Sequence, residues 1–196
     1  MRTRVVLAAL FAMACAGSTP SPTYYLLPAE VPEGTVRLDP PVRVGLLPVR
    51  VAPYLAQPGL VFETEPGQVQ AARQHRWAEP LGEGLRRQLQ AMISQGLGFD
   101  VSADDSQRHR WDFTIEVGID RFHGTSRGDA LLVARWSVVA ADKSVSVSSY
   151  RFSASQPLAR SGYRGLADAE IALAAQLAAA VADSLRDLAP SAAEAE

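Results

Sequence analysis

One cysteine, three histidines and no long uncharged apolar run beyond the first fourteen residues are the shortages of this 196-residue chain. Each closes off a class of protein. A lone cysteine cannot form an internal disulfide. His75, His109 and His123 lack the close helical spacing of a zinc motif, so no metal is expected and the histidines read as solvated surface residues. No G-x-S-x-G elbow occurs, which leaves hydrolase geometry without support. Gly82-Glu83-Gly84 is followed by no third glycine and falls inside a helix pattern, so no phosphate-cradling loop and no cofactor are expected. Basic residues do not outnumber acidic ones (19 against 21, net -2), which argues against nucleic acid as a partner. A membrane-spanning helix needs about 20 predominantly apolar residues. The Ala-rich stretch near the end is broken by Asp168, Glu170, Asp183 and Arg186 and reads instead as an amphipathic helix. Glu63 with Glu65, and Asp104 with Asp105, are the closest approach to a paired acid, but carboxylates beside turns are usually solvated. No catalytic constellation emerges, and the chain is not expected to be an enzyme.

What is present begins at the N-terminus. Arg2 and Arg4 precede the apolar run Val5 to Met13 and the small residue Ala14, the order of a secretory signal. Cys15 follows, and Ala12-Met13-Ala14-Cys15 resembles a lipobox, in which cleavage leaves an acylated cysteine as the first mature residue. Ala12 stands where leucine is commonest. The competing reading is an ordinary signal peptide with an incidental cysteine. The expected organisation is a signal peptide at 1–14, a lipidated cysteine and flexible tether at 15–23, one domain at 24–189 and a disordered tail at 190–196. Removing residues 1–14 leaves 182 residues, with 17 basic against 21 acidic, a net of -4.

Within the domain, Tyr24 to Leu27 reads as a short strand stopped by Pro28, and proline-rich residues 28–41 as a loop. Val42, Val44 and Leu46 alternate with Arg43 and Gly45, a strand signal that resumes at Val49 and Val51 after Pro48. Pro48 cannot donate to a ladder, which points to an edge or a bulge there. Residues 60–64 and 69–73 flank a Pro66-Gly67 turn as a hairpin. Leu81, Leu85, Leu89, Met92 and Ile93 form one apolar stripe, predicting a helix with Pro80 in its first turn and Gly96 and Gly98 as the stop. Trp111 to Ile119 alternate strictly, a strand; residues 130–140 follow as a central strand and 144–153 as a third. A phase switch between Val147 and Tyr150 places a bulge at Ser148-Ser149. A last helix is expected from about Leu166 to Leu188. The sum is an α+β fold, a largely antiparallel sheet with two long helices packed on one face.

Two segments resist a purely structural account. Pro53 to Val61 sets Tyr54 and Leu55 in a proline-bounded loop, and His75 to Leu81 sets Trp77 just before a helix. Trp77 can pack as a hydrophobic staple and Tyr54 can cover a core edge. Alternatively Tyr54, Leu55 and Trp77 help dock a partner, since aromatics are enriched in binding hot spots.

The same segments carry a resemblance. Tyr24-Tyr25-Leu26-Leu27-Pro28, Val42-Arg43-Val44-Gly45, Pro53-Tyr54-Leu55, Pro58-Gly59-Leu60-Val61 and Arg76-Trp77-Ala78-Glu79-Pro80-Leu81 resemble those of the ABC-type transport auxiliary lipoproteins. Trp136 in its strand and the Ala-rich final helix fit the same plan, and the resemblance spans about residues 24–188. The chain departs at Ala56-Gln57, where members often carry Asp-Arg, and at Phe62-Glu63, where a basic residue often follows the strand. The resemblance implies a non-catalytic lipoprotein attached to the outer membrane on its periplasmic side through Cys15. It implies as partners an MCE-domain tunnel protein and an inner-membrane ABC transporter or permease that moves lipid between membranes. Ala16 after the cysteine, rather than aspartate, is similar to lipoproteins sorted to the outer membrane. Assembly as a homo-oligomer is compatible with such a part, though nothing in these residues counts subunits. Two other classes stay open: a structural envelope lipoprotein binding peptidoglycan or an outer-membrane protein, and a periplasmic enzyme whose site is assembled from distant residues.

Overall fold

The computed structural model describes residues 21–30, 42–141 and 148–193. The expected signal peptide, Cys15, most of the tether and most of the 28–41 loop lie outside the described residues. The strands are β1 (Thr23–Tyr25), β2 (Val44–Leu46), β3 (Arg50–Val51), β4 (Gly59–Glu65), β5 (Gln68–Trp77), β6 (Val101–Ser102), β7 (Phe113–Gly124), β8 (Asp129–Ala140) and β9 (Ser148–Pro157). Helix α1 (Leu81–Leu97) follows β5, and α2 (Tyr163–Ala193) follows β9.

The long ladders are antiparallel, as alternation and turn chemistry predict. β4 and β5 form a hairpin, and β7, β8 and β9 form a meander. The short pairings are all parallel: β1 on β5, and β2, β3 and β4 on β7, with β6 on β2. The sheet is therefore mixed, and β7 is its hub. β8 runs along one side of β7, while β2, β3 and β4 share the other in succession at Val44↔Phe113, Arg50↔Gly118 and Phe62↔Gly124. Pro48 lies between β2 and β3, where the missing N–H breaks what would have been one strand into two.

On β7, Phe113, Ile115, Val117 and Ile119 are buried, and a register shift between Ile119 and Arg121 then brings Phe122 to the core side. That is the bulge of the meander. At Ser148-Ser149, where one was expected, the β8–β9 register runs without interruption from Asp129↔Pro157 to Val138↔Ser148. Val145 and Val147, whose phase suggested the slip, lie outside the described residues.

Leu81, Leu85, Leu89 and Ile93 carry the buried stripe of α1. Pro80 stands at the N-cap, its carbonyl accepting from the Glu83 and Gly84 amides, and Gly98 ends the helix in the left-handed region at φ 74° with its N–H on Ser94 O. Such a position favours glycine because a Cβ would be strained there. Leu166, Leu173, Leu177, Val181 and Leu185 line the buried side of α2, with Ala167, Ala174, Ala178 and Ala182 allowing close approach. Each fully buried leucine contributes about 1.5–3 kcal/mol relative to an exposed one. By length and composition Tyr163–Asp187 could cross a membrane, yet most of that stretch is buried within the domain. Its apolarity is spent on the core. The helix continues through Ala193, past its expected end near Leu188.

Both helices meet one another, and α2 also packs on β7, β8 and β9. Gln88 Nε2 donates to Ile171 O at 3.2 Å, and Arg186 Nη2 donates to Gly96 O at 2.5 Å near the end of α1. The two contacts ascend both helices together, so α1 and α2 run in the same sense. The guanidinium also meets the negative end of the α1 dipole. Half-buried Arg86 ties α1 to the sheet edge by donating to Leu46 O, Ala103 O and the Asp105 carboxylate.

Candidate functional site

The two segments most specific to the resemblance meet in space. β1 pairs with the end of β5, aligning Tyr25 with Trp77, and the Ala78 amide donates to Tyr25 O at 2.7 Å. Tyr25, Leu27, Trp77 and Leu81 are all buried. Trp77 lies beside Phe122 with ring centroids 6.2 Å apart, and its amide donates to Pro58 O. Glu79 pairs with Arg87, nearly two turns into α1. This is a joint holding the first strand, the β5–α1 turn and the core together.

The proposed docking residues divide accordingly. Trp77 and Leu55 are 5% and 1% exposed, so they belong to the core and not to an outward docking surface. The 3-10 turn Pro53–Leu55 points Leu55 inward, and Trp77, the last residue of β5, turns inward beside Phe122 and not as a staple, since Glu79 and Gly84 hold the staple positions around the Pro80 cap. Tyr54 is half-buried. Its hydroxyl donates to Asp120 O at 3.3 Å, on the side of β7 away from β8, where no described strand pairs between the β3 and β4 contacts, and its ring meets His123 edge-on. Burial raises the Tyr54 phenol above its ordinary pKa. Gln57, at a position where the chain departs from the family pattern, donates to Tyr54 O and closes the loop on itself.

The histidines are not uniformly solvated. His109 is exposed, but His123 is 5% exposed with Nδ1 3.0 Å from Gly124 O. His75 Nδ1 lies 3.1 Å from the Tyr25 hydroxyl, and its ring stacks on Tyr163 at 4.2 Å. Their aromatic neighbours keep them in the fold. Among the described residues no group of three or more His, Cys, Asp or Glu is arranged to hold a metal. Three of the four paired acids have structural partners: Glu63 accepts the Gly67 amide, Asp104 caps the 3-10 turn after β6 through Ser106, and Asp105 pairs with Arg86. The two hydrogen bonds from Ser106 hold the Asp104 carboxyl below its usual pKa.

The sheet face away from the helices carries a cleft of about 610 Å³ with charged residues from four strands. Arg50 on β3 reaches Glu116 at 3.4 Å, Arg135 on β8 grips Asp120 on β7 with two bonds of 2.8 and 2.9 Å, and Arg151 comes from β9. These exposed pairs add little stability, about 0–1 kcal/mol each. They do present donors and acceptors on a rigid floor, next to the carbonyl that Tyr54 holds. Such an arrangement suits polar contact with a partner surface.

Sequence reasoning missed one buried acid. Glu170 is 1% exposed, neither carboxylate oxygen has a hydrogen-bond partner among the described residues, and burial raises its pKa well above the ordinary value. The signal was its spacing: four residues after Leu166 and three before Leu173, it falls on the apolar stripe.

The model of the ABC-type transport auxiliary lipoprotein component matches residues 24–182. The intermembrane transport lipoprotein PqiC of Escherichia coli K12 is 30% identical over 134 residues, 67% of this chain and 71% of that protein, and PqiC of Shigella flexneri matches equally. A crystal structure of an uncharacterised protein superposes with a TM-score of 0.72 at 25% identity, covering 85% of this chain and 99% of that one. A protein from Xanthomonas campestris shares the fold at a TM-score of 0.64 and 16% identity, over 81% of this chain and 92% of its own.

Proposed function

The chain belongs to the ABC-type transport auxiliary lipoprotein family, and from that membership we propose that it is a non-catalytic lipoprotein subunit of a lipid transport system linking the inner and outer membranes. Cys15 is its acylation site and holds it on the periplasmic face of the outer membrane. Its partners are an MCE-domain tunnel protein and an ABC transporter or permease of the inner membrane. The observation that carries this reading is the family match across nearly the whole folded body, residues 24–182, together with a lipobox-like segment nine residues upstream. The Tyr54 loop and the adjoining charged cleft are the docking surface, with Leu55 and Trp77 supporting the loop from within.

Affinity purification of the acylated protein from solubilised envelopes tests this directly. An MCE-domain protein and a permease should co-purify, and charge reversal at Arg135 should weaken their recovery while leaving the protein folded. Recovery of peptidoglycan or an outer-membrane protein alone would favour the structural lipoprotein instead.

A further inference from the structure

The segment from Tyr24 to Leu27, which starts in β1 and runs past its end, divides its side chains between two environments. Tyr25 and Leu27 are 8% and 2% exposed, whereas Tyr24 and Leu26 stand 58% and 60% exposed. Among the described residues the other exposed large apolar side chain is Val69, at the far end of β5. Tyr24 aligns with Arg76 on β5, so both side chains lie on the sheet face away from α2, and Arg76 Nε donates to Arg73 O at 2.9 Å. Arg76 forms no ion pair among the described residues. Among the described residues β1 is also a sheet edge, paired with β5 alone.

The chain just upstream says what lies nearby. Tyr24 is nine residues from Cys15, a distance of at most about 30 Å even fully extended. We propose that the Tyr24–Leu26 edge is a membrane seat, in which both side chains enter the headgroup–acyl boundary of the bilayer holding the Cys15 lipid. This rests on the reading of Cys15 as the acylated anchor. Tyrosine suits that boundary because its ring is apolar and its hydroxyl is not. Arg76 faces anionic headgroups, which attract basic side chains near the surface. The outer edge of β1 keeps its unpaired backbone groups in headgroup water. Two apolar side chains alone would bind too weakly to hold a protein. Once the lipid is inserted, however, the contact is intramolecular and benefits from a high effective concentration. The cleft lined by Arg135 and Asp120 begins three strands away at β7, about 14 Å along the sheet at 4.7–4.9 Å per strand, clear of the bilayer for a partner.

The test uses the full-length acylated protein in vesicles of phosphatidylethanolamine and phosphatidylglycerol. The sole native cysteine carries the lipid on its sulfur, so Leu26→Cys or Val69→Cys supplies a single free thiol for a polarity-sensitive nitrobenzoxadiazole dye. Position 69 lies seven residues along β5 from Arg76, about 23 Å at 3.3 Å per residue, and serves as the control. The probe at position 26 should shift to the blue and be quenched by lipids spin-labelled near the headgroup. The probe at 69 should do neither, and adding Tyr24→Asp should abolish the shift at 26. A protein that floats with vesicles while both probes stay equally aqueous overturns the seat and leaves the anchor standing. A concentration-dependent shift at 26 in detergent without vesicles would assign the edge to a second copy and overturn the seat as well. Failure to float at all would overturn the anchoring reading, and the seat with it.

Discussion

Glu170→Gln should stabilise the domain at neutral pH and leave it nearly unchanged near pH 4. Glu170 sits on the buried stripe of α2 between Leu166 and Leu173, with no partner for either oxygen among the described residues. Burial is the one cause raising its pKa, and it raises it well above the ordinary value. In the unfolded chain the same group ionises at about 4.3. A folded-state pKa above the unfolded one gives stability that is fully present below about pH 4.3 and is lost as pH rises through the folded value. Inside that window each pH unit costs about 1.4 kcal/mol. If the native carboxyl keeps its proton to pH 7, glutamine recovers at most about 3.7 kcal/mol there. Glutamine has almost the same shape and does not titrate, so the cavity and packing terms cancel between the two proteins. The assay is urea denaturation of both proteins from pH 4 to 8, comparing midpoints at constant m-value. The difference between them should grow with pH from near zero. A pH-independent difference, or a glutamine variant that is less stable at pH 7, would refute the reasoning and mean that the carboxylate is solvated or paired.

Three further outcomes follow from the fold. Cys15→Ser should move the protein from the membrane to the soluble periplasmic fraction, since each buried acyl CH2 contributes about 0.8 kcal/mol; retention through repeated salt washes would assign the anchor elsewhere. Trp77→Ala should cost about 3–5 kcal/mol of unfolding free energy, as for a buried aromatic, whereas Tyr54→Phe removes one hydrogen bond and should cost about 0.5–1.5 kcal/mol; urea midpoints of the two variants check the contrast. Gly45→Ala should destabilise by about 1–3 kcal/mol or more, as overpacking does, because a Cβ there would come within 1.9 Å of Trp111 Cδ2; a wild-type melting temperature would contradict that placement of the indole.

The long elements were legible because their periodicity repeats often enough to exceed chance. Five apolar positions over Leu81 to Ile93 specify α1, and strict alternation from Trp111 to Ile119 specifies β7. Strands of two or three residues carry no such repeat, so the parallel pairings of β2, β3 and β6 could not be read from their residues. Their partners are chosen by tertiary packing. The β7 bulge did leave a trace: Asp120 and Arg121 stand side by side where one polar residue would keep the alternation, and apolar phase resumes at Phe122. A similar phase switch near Tyr150 was a weaker guide, since the ladder through Ser148 and Ser149 is regular. Glu170 is hard to read from sequence because a charge ordinarily marks a polar face, although its spacing from Leu166 and Leu173 places it on the apolar one.

Burial also changes what the family-like segments are good for. Trp77, Tyr25 and Leu27 are the heart of the residues that make the chain resemble its family, and all three face the core. Packing constrains a motif of that kind: it must fill one volume and satisfy the amides of Trp77 and Ala78 on Pro58 and Tyr25. It identifies the fold from within the core. Binding specificity has to come from side chains whose atoms a partner can reach, and here those sit on the opposite sheet face or on the rims of loops. They include Tyr24 and Leu26 beside the tether, Arg135 and Arg151 in the cleft, and Gln57 next to Tyr54. Substitutions at these positions should alter partner or membrane contact at nearly constant melting temperature. Substitutions at Trp77 should lose binding only in proportion to unfolding. Measuring both quantities on the same variants separates recognition from stability, and an alanine at Trp77 that abolished partner capture without lowering stability would overturn this division.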